Sequence, residues 1–145
     1  MGEVIRMISV IIPVYNGQEY IKNITESFSR QSYRDFELIF VNDGSKDKSL
    51  SNLQYWQDHS EMQIIIVNQN NKGVSAARNA GINAARGEFL CFCDVDDFVA
   101  ETYLSDMLSV LTEKNVQMVF CKYKLVNSLL DRDKNDTGKI LLVIG

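Results

Sequence analysis

FLCFCDVDDF, residues 89–98, sets an unbroken apolar run directly against three carboxylates, Asp94, Asp96 and Asp97. A short apolar run without polar alternation reads as a strand buried on both faces, the kind found in parallel sheets covered by helices. The same form recurs along the chain. ISVIIPV (8–14) is a β-branched run closed by Pro13, which cannot donate a ladder hydrogen bond. FELIFV (36–41) ends in the turn signal NDGS (42–45), and MQIIIV (62–67) ends in the polar loop NQNNKG (68–73).

Between these runs the spacing turns helical. Tyr20, Ile21, Ile24 and Phe28 predict an amphipathic helix within 18–31, and Leu50, Leu53 and Trp56 another over 49–58. Residues 74–85 predict an alanine-rich helix, with Gly87 breaking it before the strand 88–93. Leu104, Met107, Leu108 and Leu111 mark the inward side of a helix over 101–114. Strands follow at 117–126 and 140–144. Strands alternating with helices imply right-handed crossovers and an α/β fold, a mostly parallel, doubly wound, Rossmann-like sheet with helices on both faces. No repeat or low-complexity linker interrupts the chain, so 1–145 reads as a single domain with a core over 8–126.

Composition agrees and excludes several classes. A chain of 145 residues, 46% hydrophobic, is large enough for a core of its own. Fifteen Lys and Arg against nineteen Asp and Glu give a net charge of −4, with no basic block, so nucleic acid is not an expected partner. Cys91, Cys93 and Cys121 lie in apolar runs, and their spacing fits neither a zinc site nor a redox pair; they read as three buried thiols. No signal-peptide core and no transmembrane segment stand out, and the chain reads as cytoplasmic.

In open α/β sheets, ligands bind beyond the carboxyl ends of the strands, where strand order switches. PVYNGQE, NDGS and DVDD all fall at such ends, so the fold should gather them in one crevice. Three close carboxylates repel one another unless a cation compensates, and hard oxygen ligands suit Mg²⁺ or Mn²⁺. Taken alone, the stretch reads more simply as a solvated acidic turn opening the next helix. An EF-hand loop does not fit: Val99 stands where glycine is required and Ser105 where the bidentate glutamate belongs. The acidic run 131–138 fails the same test at Asp136 and Leu142. Asp43 is either part of a plain turn or an acceptor for a base N–H. In NKGVSAARNAG (71–81), Gly73 opens a slim helix whose N-terminus favours anions, and Arg78 is a lone cation suited to phosphate or a merely solvated one. Tyr15 could offer a ring face to a base, and Glu19 a carboxylate, or both could be ordinary rim residues.

Together, VIIPVYNGQEYI, ELIFVNDGS, NKGVSAARNAGI and GEFLCFCDVDDF resemble the nucleotide-sugar half of family 2 glycosyltransferases, the GT-A fold, from residue 8 to about 110. The resemblance implies a metal-dependent, inverting transfer of a sugar from a nucleotide diphosphate, with UDP-sugar expected. The acceptor would be a saccharide or lipid-linked hydroxyl in polysaccharide or glycolipid synthesis, at the cytoplasmic face of a membrane or free of it. It places Pro13, Val14, Tyr15, Asn16 and Glu19 around base and ribose, Asp43 on the uracil ring, and Asn71, Gly73 and Arg78 beside the nucleotide. Asp94 and Asp96 would form the DxD pair that holds Mn²⁺ or Mg²⁺, with Asp94 also near ribose and Asp97 as support. Val95 departs from the small polar residue common there, which leaves donor preference open. The resemblance also implies a catalytic base from a later segment, so the expectation is of a donor-binding portion with the acceptor half beyond Gly145, transferring sugar poorly by itself. A nucleotide-binding module without transferase activity is the alternative. A sugar nucleotidyltransferase would need a Gly-rich, basic first loop, and a phosphoacceptor module would need paired acids after strand one. PVYNGQE supplies neither.

Overall fold

The apolar runs form four parallel strands: β1 (Ile8–Val14), β2 (Phe36–Asp43), β3 (Gln63–Gln69) and β4 (Phe89–Phe92). Three helices connect them: α1 (Ile21–Ser29), α2 (Ser49–His59) and α3 (Val74–Ala84). The computed structural model describes residues 6–121 and the backbone of 140–142. Strand order is β3-β2-β1-β4, so the chain winds outward from β1 and then returns to its other side. The switch in order therefore falls between β1 and β4.

Register sorts the side chains to two faces. Ile11 pairs with Ile39, Ile39 with Ile65, and Val41 with Val67, and these residues meet Ala77 of α3. The opposite parity of β2 carries Phe36, whose ring lies 6.0 Å from that of Phe28 on α1. Helices thus cover both faces of the sheet. Val10, Ile11, Ile12, Leu38, Ile39, Phe40 and Val41 are all fully buried. Each such aliphatic or aromatic side chain contributes roughly 1.5–3 kcal/mol on burial. α3 comes close because Gly81 faces the sheet: a Cβ there would run into Ile11 and lie 3.3 Å from Val41.

Burial differs from the sequence expectation at the sheet margins. β1 and β2 are buried, but β3 and β4 are half-exposed edge strands, with Leu90 and Phe92 44% and 46% exposed. The cysteines change accordingly. Cys93 is buried, Cys91 is half-buried on its edge strand, and Cys121 is exposed. Pro13 lies inside β1 rather than ending it, paired with Val41.

A polar cluster ties β4 to the sheet at its start. Glu37, fully buried, accepts from Ser9 Oγ (2.7 Å), the Arg86 backbone N–H (2.8 Å) and the Arg86 guanidinium (2.8 and 3.1 Å). Ser9 Oγ in turn accepts from the Gly87 N–H (2.8 Å). Burial pushes the Glu37 carboxyl up, but the hydrogen bonds from Ser9 and Arg86, with the Arg86 charge, outweigh it and hold the group below its ordinary range.

The chain divides into two units, the first being Met1–Glu101 and the second Thr102–Gly145. In the second, α4 (Tyr103–Glu113) packs on β5 (Val119–Cys121) and β6 (Ile140–Leu142), which pair antiparallel. These two strands form a sheet of their own instead of extending the parallel one. The expected strand residues 122–126 and 143–144, and the acidic run 131–138, lie outside the described residues.

Glu37→Gln tests the cluster. Charge-assisted bonds to a buried carboxylate contribute roughly 1.5–3 kcal/mol each way of counting, so the variant should lose about 2 kcal/mol at pH 7 in urea unfolding. A carboxylate with a depressed folded-state pKa stabilises above its unfolded value of about 4.3, and that gain fades as pH falls through the folded value. The gap between wild type and variant should therefore close in acid. A gap independent of pH between 7 and 2 would refute the ionised pair.

Candidate functional site

β1 and β4 part company at their carboxyl ends. The carbonyls of Met7 and Ile11 accept from Phe89 and Cys93 of the β4 segment, so odd-numbered residues of β1 address β4. Pro13 is the next in that series, has no N–H to donate, and lies past the last pair, Ile11 with Phe92. Pairing ends there, and a crevice of about 530 Å³ is lined by residues that follow both strands. Pro13, Val14, Tyr15, Asn16, Asp43, Asn71, Gly73, Asp94, Val95 and Asp96 all line it. Loops from the ends of four strands therefore meet in one cavity.

Each wall has a local cause. The first is the turn after β1, where Asn16 adopts φ +48° and Tyr15 stands half exposed. Opposite it, Val95 packs on Gly17, where a Cβ would lie 3.1 Å from Val95 Cγ1. Asp94, Val95, Asp96 and Asp97 form a tight turn closed by the Asp97 N–H donating to the Asp94 carbonyl (3.1 Å). The floor is the end of β2. Gly44, at φ +72°, lets the backbone of Asn71 approach, since a Cβ there would stand 2.7 Å from the Asn71 nitrogen.

Asp43 holds this floor together. Its Oδ1 accepts from Gln69 Nε2 (2.7 Å) and the Lys72 N–H (2.9 Å), and its Oδ2 from the Gly73 N–H (2.9 Å). Burial raises the Asp43 pKa, yet the bonds from Gln69, Lys72 and Gly73 and the Lys72 charge prevail and hold it below the ordinary carboxylate range. Oδ2 takes one bond in the structure and retains acceptor capacity toward the crevice.

Arg78 and Glu19 sit elsewhere than the crevice lining. Arg78 borders an adjoining hollow of about 400 Å³ with Ser75, Asn79, Ile82 and Phe92, and reaches the crevice through Asp94, its Nη2 lying 3.2 Å from Asp94 Oδ1. Glu19 is exposed in the turn that the Tyr20 N–H closes on the Gly17 carbonyl (2.9 Å). α1 begins only at Ile21, and it is Gly17 and Tyr20 that border the cavity. Tyr20, placed by helical spacing on the inward side, is 40% exposed. Gly17, Tyr20, Val74 and Ala77 are lining residues that the sequence reading missed. Val74 had a signal, an apolar residue directly after the helix-opening glycine.

The acidic turn suits a cation. Partial burial, and after it the charges of Asp94 and Asp96, push the Asp97 carboxyl up. Asp94 and Asp96 border the cavity, while among the described residues no group of three or more His, Cys, Asp or Glu side chains is placed to hold a metal. Two carboxylates with open positions fit a hard dication whose remaining oxygens come from a ligand or water.

The sequence profile for "Glycosyl transferase family 2" matches residues 9–140. The chain belongs to glycosyl transferase family 2. Among family relatives, the glycosyltransferase GlyG of Streptococcus pneumoniae is 34% identical over 120 residues, 81% of this chain and 39% of GlyG. Among solved structures, Staphylococcus aureus TarS 1–349 in complex with UDP superposes with a TM-score of 0.69 at 28% identity, covering 75% of this chain and 33% of TarS 1–349. The mannosyltransferase PcManGT of Pyrobaculum calidifontis, in complex with GDP-Man and Mn²⁺, gives 0.70 at 26%, with the same coverage. The parallel sheet with its flanking helices is thus the GT-A arrangement. The chain spans less than half the length of the curated relatives it matches.

Asp43→Ala should free Lys72 and Gly73 from their acceptor. Hydrogen exchange at those two amides should speed up at least about tenfold, with β1 unchanged. Unaltered protection at Lys72 and Gly73 would show that another group holds the loop.

Proposed function

We propose that this chain carries the donor-binding portion of a glycosyltransferase that moves a sugar from a nucleoside diphosphate, with UDP the expected nucleotide, to an acceptor hydroxyl with inversion. The observation that carries the proposal is the meeting of Asp43, Asn71, Gly73, Asp94 and Asp96 in one crevice at the β1–β4 switch point. Solved relatives hold UDP, UDP-GlcNAc or GDP-Man with Mn²⁺, which supports a sugar nucleotide as the ligand class. The acceptor in this reading is a saccharide or lipid-linked hydroxyl, reached from the cytoplasm. Among the described residues no helix is long and apolar enough to cross a membrane.

The residues divide the work by chemistry. Tyr15 and Val74, both half exposed at the cavity, offer apolar surface to a base, and Asp43 Oδ2 can accept one of its ring N–H groups. Asn71 and Gly73 border the ribose and phosphates. Arg78 spends one of its five donors on Asp94 and keeps the others for phosphate oxygens. Asp94 and Asp96 would hold Mn²⁺ or Mg²⁺, which when bound supplies positive charge to the departing diphosphate. Asp43, Asp94 and Asp96 are assigned to binding, and none of them to deprotonation of the acceptor.

Calorimetry with UDP and with GDP, each with and without Mn²⁺, tests the reading. UDP should bind more tightly with Mn²⁺, and Asp96→Ala should weaken that metal-dependent binding at least tenfold, about 1.4 kcal/mol. Binding of neither nucleotide, or UDP binding indifferent to both Mn²⁺ and Asp96, would sink it.

A further inference from the structure

The turn that forms the first wall of the crevice is not held by β1 alone. The Asn16 N–H donates to Ser45 Oγ (3.0 Å), and Asn16 Oδ1 accepts from the Lys46 N–H (2.8 Å). The Gly17 N–H donates to Ser49 Oγ (2.9 Å), and the Gln18 N–H to Asp47 Oδ2 (3.1 Å). Gln18 answers in kind, its Oε1 accepting from the Lys48 N–H (2.9 Å) and its carbonyl from Asn52 Nδ2 (3.0 Å). Residues 16–18 are thus laced, residue by residue, to the segment joining β2 to α2 and to the first turn of α2.

Several features separate this lacing from ordinary loop contacts. Ser49 is fully buried, and Gly17, whose N–H it receives, is buried too, so water cannot replace the bond. Asp47 takes two donors, Gln18 N–H on one oxygen and Ser49 N–H (2.9 Å) on the other, and so links the turn to the start of α2. Burial raises the Asp47 pKa, but its bonds to Ser49 and Gln18 more than reverse that and keep it ionised. Asn16 holds φ +48°, a left-handed conformation that asparagine tolerates, and both its N–H and its Oδ1 are tied to residues 45–46. Of the residues so fixed, Asn16 and Gly17 border the cavity beside Tyr15, and Gly17 also bears on Val95 of the opposite wall.

We infer that Asp47 and Ser49 are positioning residues for nucleotide binding: from outside the crevice they clamp the Asn16–Gln18 turn and so set where Tyr15 and Gly17 stand. The inference rests on the nucleotide-sugar reading of the crevice and adds to it residues that line no part of the cavity. Neither side chain would touch the ligand. Each acts through a backbone amide of the wall.

The test uses Asp47→Ala and Ser49→Ala in the full chain, with Ile24→Val, a trim of the buried face of α1, as a control of comparable destabilisation. Hydrogen exchange at Gly17 should accelerate about tenfold in Ser49→Ala, and at Gln18 in Asp47→Ala, without ligand present. UDP affinity in the presence of Mn²⁺ should fall about tenfold in both clamp variants and stay at the wild-type value in Ile24→Val. Clamp variants that bind UDP as wild type does would overturn the inference, as would an Ile24→Val variant that loses as much affinity for the same drop in melting temperature. Wild-type protein that binds no UDP would refute the nucleotide reading and with it the functional role of the clamp, whereas the exchange data alone decide whether the clamp exists.

Discussion

Everything at the crevice depends on where β1 and β4 stop pairing. A parallel pair runs until a donor is lacking, and the missing N–H of Pro13 falls on the side of β1 that addresses β4. On its other side β1 continues to pair with β2 through Val14. One strand therefore stays bonded to one neighbour while releasing the other. The segments that follow, Tyr15–Gly17 and Asp94–Asp96, form two walls of the cavity and touch where Val95 packs on Gly17.

The floor is secured by a second constraint, the two buried carboxylates of β2. Asp43 and Glu37 share the parity of Ile39 and Val41, so both belong to the face that α3 covers. Asp43 binds the backbone entering α3, at Lys72 and Gly73, and Glu37 binds the backbone leaving it, at Arg86. Between them Gly81 lets the helix settle against Ile11. The helix is thus fixed at both ends and in the middle. Its cap Gly73 and first residue Val74 border the cavity, and its exit leads into β4. One helix carries the alignment of the floor to the acidic turn.

The order of strands and helices was legible in the sequence because unbroken apolar runs and helical spacing alternate cleanly. Burial was less so. FLCF resembles VIIP in composition, but only position in the sheet decides whether such a run is covered twice, and β4 lies at the margin. The motifs indicated the cavity because strand ends must converge at the switch point, and Asp43 and the Asp94–Asp96 turn do meet there. Hidden from the sequence were the partnerships across it. Ser9, Glu37 and Arg86 are each ordinary in their local runs, and only a register that sets β1, β2 and β4 side by side brings them together. Glu19 shows the converse: a carboxylate near the right motif can fall on the outer side of a tight turn, because the turn, and not the helix, sets its direction.

Solvent makes the crowding of Asp94, Asp96 and Asp97 tolerable, since all three are exposed. Carboxylates deep in a core would be forced to protonate or to pair, whereas at a half-exposed margin solvent lets three remain close. Arg78 meets only one of them, through a single contact at Asp94. The compensation is incomplete: Asp96 and Asp97 have no basic side chain within ion-pair distance among the described residues. A site left short of positive charge binds a cation more strongly than one already neutralised, because the cation relieves repulsion as well as forming its own bonds. Full pairing of the turn with basic side chains would have made it more stable and chemically inert. The shortage of charge leaves Asp94 and Asp96 bordering the cavity as carboxylates that no basic side chain fully neutralises.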